Sequence, residues 1–375
     1  MPNQLLGGLA PQQFLDRYWQ SKPLLVRKAI PHLEGVLARE ELFDLARDDS
    51  VESRLVEQRS GDWTVKHGPL TRRDLRRRSE PWTVLVQGVN LHVPAADRLM
   101  RRFDFVPWAR LDDLMISYAS DGGGVGPHFD AYDVFLIQAH GRRRWRIGAQ
   151  RDRTLLENAP LKILRQFTPS QEWLVEPGDL LYLPPQYAHD GIAVGECMTY
   201  SVGFRTPLAQ EVATAFLAFL EERLDLPGRY RDPGLKQARH PAEISKAMRK
   251  QIKTMLKRIR WTDSDIDEFL GCYLSEPKAH VVFRAPARPL SMRAFLRRAD
   301  RHGVKLDEKT QLLFGAARFF LNGESIRVAA ADREALRTLA DQRALPTLAA
   351  WSESARQCAY DWYCHGFLRV EAARQ

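Results

Sequence analysis

The sequence predicts an α+β chain in which a β-sandwich or barrel is followed by helices and then by a small mixed domain. Three observations predict it. Short strand-like apolar runs, broken by glycine and proline, recur between residues 82 and 205; helical periodicity begins abruptly after Pro207; and the last hundred residues alternate short strand-like and helix-like runs. The expected divisions are residues 1–206, 207–275 and 276–375.

A length of 375 residues suits two or three domains and at least one substantial core. With 44% apolar and 27% charged residues, the composition is that of a globular protein rather than a fibrous or disordered one. No run approaches the roughly 18 uncharged apolar residues a membrane helix needs, and the N-terminus has no basic, apolar and small-residue succession of a signal peptide, so the expected location is the cytoplasm. Cys197, Cys272, Cys358 and Cys364 form no C-x-x-C pair, and Cys358, Cys364 and His365 match no common zinc spacing. The net charge of +9 lies wholly in residues 201–375, because residues 1–200 sum to zero. A basic C-terminal half suggests an acidic partner such as ribosomal RNA, or a solvated helical surface.

Taken in order, residues 11–19 have the helical spacing of Phe14, Leu15 and Trp19, and Leu24-Leu25-Val26 reads as a strand. A short helix is expected over 40–47, and β-branched and apolar residues fill 82–93. Strands are expected over 114–118, 134–139, 144–148, 180–183 and 199–204. Helices are expected over 208–224 and 242–261, the second carrying Lys246, Arg249, Lys250, Lys253, Lys257, Arg258 and Arg260; two antiparallel helices make a natural dimerisation element. Beyond them come a strand-like 281–283, a helix over 292–301, an apolar stretch over 311–321, a hairpin turn at Asn322-Gly323 leading to 325–328, and helices over 333–339 and 354–363. This succession has the make-up of a winged-helix-like module.

The chemistry concentrates in Gly124-Val-Gly-Pro-His128-Phe-Asp130-Ala-Tyr132-Asp133. On a strand, positions 128, 130 and 132 share a face, so His128 and Asp130 reach one metal ion. A second histidine completes a two-histidine, one-carboxylate triad that leaves positions open on iron. His189, just after an apolar strand and Pro184-Pro185, is the candidate; His140 is the competing ligand, but it sits beside Gly141 at an expected turn, only twelve residues from His128. In Gly141-Arg-Arg-Arg-Trp-Arg-Ile-Gly148, alternation puts Arg143 on the face of Trp145 and Ile147, opposite Arg142, Arg144 and Arg146. An inward guanidinium needs an anion, and the distal carboxylate of 2-oxoglutarate offers a bidentate fit.

The runs GGGVGPHFD, YDVFLIQ, GRRRWRIG, LYLPP and YSVGFR resemble the bacterial JmjC ribosomal oxygenases of the YcfD (RoxA) type. The resemblance extends over essentially the whole chain. It implies a double-stranded β-helix (JmjC cupin, jelly roll), then a helical dimerisation region and homodimer, then a C-terminal winged-helix-like domain. It implies an iron(II)- and 2-oxoglutarate-dependent dioxygenase that uses O2 and hydroxylates the β-carbon of an arginine in the large-subunit ribosomal protein L-sixteen. It places metal ligation on His128, Asp130 and His189, and co-substrate contacts on Arg143 and Ser117. An arginyl substrate needs an acceptor and apolar or aromatic walls, which Asp113, Met115 and Tyr132 offer. The alternatives for activity are a histidyl hydroxylase or demethylase of the JmjC family, or a nucleic-acid-binding regulator that senses a metal or metabolite.

Overall fold

The computed structural model describes residues 4–31, 33, 35–76, 79–185 and 187–371. Helix α1 (Pro11–Arg17) starts on a proline, tolerated where no intrahelical N–H is required, and buries Phe14 completely. Strand β1 (Leu24–Val26) and helix α2 (Arg39–Ala46) follow. A hairpin absent from the sequence expectations comes next, β2 (Ser53–Arg59) and β3 (Asp62–His67). Its two turn residues, Ser60 (φ 49°) and Gly61 (φ 93°), take the left-handed backbone that lets a two-residue turn match the strand twist.

Strand β4 (Trp82–Val86) is buried throughout. The expected strand character of residues 87–93 is not realised, and a helix, α3 (Pro94–Met100), begins on Pro94 in a region that sequence reasoning assigned to strands. The remaining sheet strands are β5 (Leu111–Ala119), β6 (Val134–Gly148), β7 (Gln171–Val175), β8 (Leu180–Leu183) and β9 (Ala188–Phe204). The sheet order is β1-β8-β6-β9-β5-β4-β2-β3, with β7 also on β6. Runs 134–139 and 144–148 are therefore one strand, not two. Gly141 (φ 61°) absorbs the register shifts between them, because a Cβ there would lie 2.0 Å from the Glu196 carbonyl oxygen. His140 accordingly sits within a strand, exposed, rather than at a turn.

The long β6–β9 ladder is packed from one side by rings that converge on Phe135. Its ring centroid lies 4.7 Å from Phe103, 4.9 Å from Tyr182, 5.6 Å from Phe14 and 5.8 Å from Phe204. These rings come from α1, β8, β9 and the turn after α3, so one cluster ties distant chain segments to the ladder.

Beyond β9, helix α4 (Ala209–Glu221) is met by α6 (Asp263–Ser275) through Phe216 and Phe219 on Phe269, at 5.1 and 5.6 Å. The basic helix α5 (Lys246–Leu256) is shorter than the expected 242–261 and is not α4's main partner. Thr262 caps α6 by accepting from the Asp265 N–H, which begins a new helix just after the basic one. A separate apolar core, around Phe295, Leu306, Leu339 and Trp362, is built from α7 (Met292–His302), β10 (Val304–Leu306), β11 (Leu312–Phe314), β12 (Phe319–Leu321), β13 (Glu324–Ile326), α8 (Arg333–Gln342), β14 (Ala344–Leu345), α9 (Glu353–Cys364) and β15 (Leu368–Val370). The β12–β13 hairpin turns at Asn322-Gly323 as its dipeptide predicts. Residues 281–283 form no strand; Phe283 instead packs its ring on Phe367 at 4.6 Å.

Replacing Phe135 by Ala should cost about 3–5 kcal/mol of unfolding free energy in a denaturant titration, since the cluster cannot collapse around the lost ring. A loss below about 1 kcal/mol would show that these contacts do not anchor the ladder.

Candidate functional site

The site begins with main chain. The His128 N–H donates to the His189 carbonyl at 3.0 Å, and the His189 N–H donates to the His128 carbonyl at 2.9 Å. Around that bridge residues 124–133 are irregular, so the expected strand face shared by 128, 130 and 132 is not how the side chains meet. The segment turns at Gly126 (φ 78°), and Gly124 lies so close to β9 that a Cβ would sit 2.7 Å from the Gly191 carbonyl oxygen. Glycine at these positions is what allows a loop to lie flat on the strand that carries His189.

Ligand atoms of His128, Asp130 and His189 all lie within 4.8 Å of one another, the only such group of three His, Cys, Asp or Glu among the described residues. Asp130 Oδ1 is 3.7 Å from His128 Nε2, and Oδ2 is 3.4 Å from His189 Nε2. The outer nitrogens are spoken for: His128 Nδ1 lies 2.8 Å from the Gly126 carbonyl oxygen and His189 Nδ1 lies 3.2 Å from that of Tyr187. A proton on each Nδ1 satisfies those carbonyls and turns each Nε2 towards the carboxylate, where it can hold a metal ion beside Asp130 or, when protonated, pair with it. Burial, reinforced by His189, holds the His128 pKa below the usual histidine value. For Asp130 burial pushes upward, but the hydrogen bond and charge of His189 prevail and the carboxyl lies below its usual range. Burial likewise opposes protonation of His189, and the hydrogen bond to Asp130 overcomes it, so that group is raised.

The cluster opens into a cavity of about 380 Å³. Arg143 lines it, only 4% exposed, and among the described residues its Nε and Nη2 have no hydrogen-bond partner. A buried guanidinium left in this state costs several kcal/mol unless an anion joins it. Trp145 and Ile147 are buried on the same face while Arg142 and Arg144 are exposed, as strand alternation requires. Ser117 also lines the cavity, its hydroxyl 3.4 Å from the Thr199 carbonyl oxygen.

On the β5 side, residues 112 and 113 together oppose Gly203, because Leu111 pairs with Phe204 and Leu114 with Val202. This bulge aims Asp113 at the cavity. Its Oδ2 accepts from the Gly88 N–H at 3.0 Å, and burial, partly offset by Lys278, raises its pKa above the usual aspartate value. Gly203 keeps the space open: a Cβ there would touch both Asp113 Oδ1 at 3.7 Å and the Tyr132 ring at 3.8 Å. Met115 lines the same wall, and Tyr132, 41% exposed, stands at the mouth.

The cavity has walls that sequence reasoning passed over. Arg54, Thr83, Leu85 and Gln87 come from the β2–β4 side, and Leu161 and Lys162 from the loop before β7. The Ser60-Gly61 dipeptide was the available signal for the first of these, as an S-G pair between alternating residues marks a hairpin.

Two histidines and a carboxylate with open space on one side form a donor set suited to a non-haem iron(II), and the unpartnered Arg143 gives a small dicarboxylate its counter-charge. Comparison with known proteins agrees. A JmjC-domain model matches residues 98–212 and a ROXA-like winged-helix model matches residues 258–369. The ribosomal protein uL16 3-hydroxylase of Escherichia coli (strain K12) is 37% identical over 281 residues, 74% of each chain. The crystal structure of E. coli YcfD superposes with a TM-score of 0.85 at 31% identity, covering 97% of this chain and 98% of that one. The structure of YcfD, a ribosomal oxygenase, with cobalt and 2-oxoglutarate superposes at 0.82 and 31% identity, covering 97% and 99%. The double-stranded β-helix of the JmjC cupins and a winged-helix domain are thus both present.

Replacing His128 or Asp130 by Ala should weaken cobalt(II) binding roughly 100-fold or more in calorimetric titration, beyond the effect of a change outside the ligand set. Binding retained within a few-fold would contradict the triad as the metal site.

Proposed function

The chain belongs to the bacterial JmjC ribosomal oxygenases, and on that premise we propose that it is an iron(II)- and 2-oxoglutarate-dependent hydroxylase of an arginine β-carbon in ribosomal protein uL16. The observation that carries this reading is a single cavity that joins the His128–Asp130–His189 cluster, the unpartnered Arg143 guanidinium and the buried Asp113 carboxylate. Bound iron(II), with 2-oxoglutarate and O2, supplies an oxidant that replaces a C–H hydrogen by hydroxyl and leaves succinate and carbon dioxide.

In this reading the residues of the chain bind, orient and exclude water. His128, Asp130 and His189 hold the metal through two Nε2 atoms and a carboxylate oxygen. Arg143 pairs with the distal carboxylate of the co-substrate, with Ser117 offering a hydroxyl beside it. Trp145 walls off that end from solvent, which strengthens the pairing. Asp113 takes the guanidinium of the substrate, while Met115 and Tyr132 flank its aliphatic stem and plane. Holding the guanidinium at the far end fixes which carbon lies beside the metal; that placement is the source of selectivity.

The same reading divides the chain into a catalytic domain over 1–206, a helical region over 207–275 and a winged-helix-like domain over 276–375. The helical region makes a homodimer, supported by the apolar stripe Met248, Ile252 and Leu256, spaced four residues apart on α5 and 41%, 41% and 59% exposed. The basic residues between them on α5, Arg249, Lys250 and Lys253, support a contact with ribosomal RNA phosphates. Action on a ribosomal protein supports a cytoplasmic location for the enzyme.

Three outcomes test the reading. Mass spectrometry of ribosomal proteins from cells lacking the chain should lose a hydroxylation on one uL16 arginine, and an unchanged spectrum would sink the assignment. Arg143→Met should raise the KM for 2-oxoglutarate roughly 30-fold or more, the cost of removing one partner of a buried ion pair. An unchanged KM there would mean the co-substrate binds elsewhere. Because only ionised Asp113 pairs with a guanidinium and burial raises its pKa, kcat/KM for an arginyl peptide should climb with pH through a limb above the usual aspartate range. Asp113→Asn should remove that limb, and a limb that persists in the variant would exclude Asp113 as its source.

A further inference from the structure

A groove outside the catalytic cavity, about 670 Å³, lies where three parts of the chain meet. Val106 and Trp108 come from the segment before β5, Leu270 and Leu274 from α6, and Phe314 and Phe320 from β11 and β12. Its floor is apolar, with Leu270 and Phe314 each 40% exposed. Gly271 is part of the reason this floor is deep, since a Cβ there would collide with the Phe320 ring at 2.2 Å.

The rim carries Asp104, Asp267 and Asp341, all exposed. Among the described residues none of the three carboxylates has an ion pair or side-chain hydrogen bond, although carboxylates elsewhere are paired many times over. Among the described lining residues the cation is Arg318, held by Glu268 at 3.1 Å; Arg333 donates to the carbonyls of groove-lining Ala317 and Ala316 at 2.9 and 2.7 Å, and Arg337 lies 5.9 Å from the Phe314 ring centroid and pairs with Glu334. In a chain of net charge +9 this leaves three unpaired rim carboxylates around an apolar floor.

The groove is also close to the catalytic cavity along the backbone. Ala109 lines the groove and Asp113 lines the cavity, four residues later. Four residues span at most ~14 Å when extended. A second tie runs through Arg205, just after cavity-lining Gly203, whose Nη1 donates to the carbonyl of groove-lining Leu274 at 2.9 Å.

We propose that this groove is a second docking site for the protein substrate, taking a lysine- or arginine-rich segment with an apolar anchor that lies outside the hydroxylated loop. The proposal rests on the ribosomal-protein reading above, since ribosomal proteins are basic and their segments complement the unpaired rim. The apolar floor takes the anchor and the three carboxylates take the surrounding cations, so the contact adds affinity to a target that the catalytic cavity alone would hold by one side chain.

The test compares two substrates, full-length uL16 and a short peptide containing only the arginine target, with wild-type enzyme and with the Asp267→Lys/Asp341→Lys double variant. Both positions are exposed and unpaired, so folding is not at stake. The expected result is a KM for full-length protein raised roughly tenfold or more at low salt, where charge pairing is strongest, a rise that shrinks as salt is added, with the peptide KM unchanged. Equal KM values for wild type and variant on full-length protein would overturn the proposal, as would equal losses on both substrates. A change in sedimentation on mutation, with KM unaltered, would assign the groove to a second copy of the chain and overturn it as well. Failure of wild-type enzyme on both substrates would instead refute the uL16 reading, and so the two failures are distinguishable.

Discussion

Two main-chain hydrogen bonds between His128 and His189 are the constraint on which the rest of the site depends. They join a loop without regular structure to the start of β9, and glycine at 124 lets the two approach, since a Cβ there would lie 2.7 Å from the Gly191 carbonyl oxygen, while a Cβ on Gly191 would lie 2.6 Å from the Trp145 ring on β6. Once the backbones are so joined, both histidines present Nε2 to Asp130, and both Nδ1 atoms already have carbonyl partners. The loop therefore needs no strand geometry of its own, because β9 supplies the rigidity.

From that bridge the long β6–β9 ladder carries order along its whole length. Its His189 end places Arg143, Trp145 and Ile147 on the inner face, and its other end is clamped by the rings around Phe135. The bulge at Asp112 and Asp113 then brings a carboxylate to the opposite wall of the same cavity. A cation and a carboxylate thus face one space from different strands, each poorly neutralised by the protein itself. That arrangement has a stability cost, and it leaves both groups to be completed by ligands of opposite charge.

Much of this was legible in the sequence for definite reasons. Arg143's inward orientation follows from the period of two along a single strand, and His189 from its place after an apolar strand and paired prolines. The route to His128 and Asp130 was different from the one expected, since a loop rather than a strand face brings them together. The β2–β3 hairpin was hidden because its strands are largely polar, and with it went Arg54. Helix α6 was hidden by its acidic first turn, which follows a basic helix and reads as a loop unless Thr262 is seen as a cap. The long β6 reads in sequence as two strands because Gly141 looks like a turn, and only the partner strand shows that it is a bulge. What sequence cannot show is which surfaces remain unneutralised after packing, and both the Arg143 guanidinium and the aspartates around the larger groove are of that kind.

The central claim is that Arg143, the His128–Asp130–His189 cluster and Asp113 form one site with a co-substrate anion at one end and an arginyl side chain at the other. The most direct measurement is a crystal structure grown without oxygen, with manganese(II), 2-oxoglutarate and an arginine-containing uL16 peptide. The account predicts a carboxylate of 2-oxoglutarate on the Arg143 guanidinium and the peptide guanidinium on Asp113. A co-substrate bound away from Arg143, or a peptide whose guanidinium lies in solvent while another side chain fills the cavity, would contradict it.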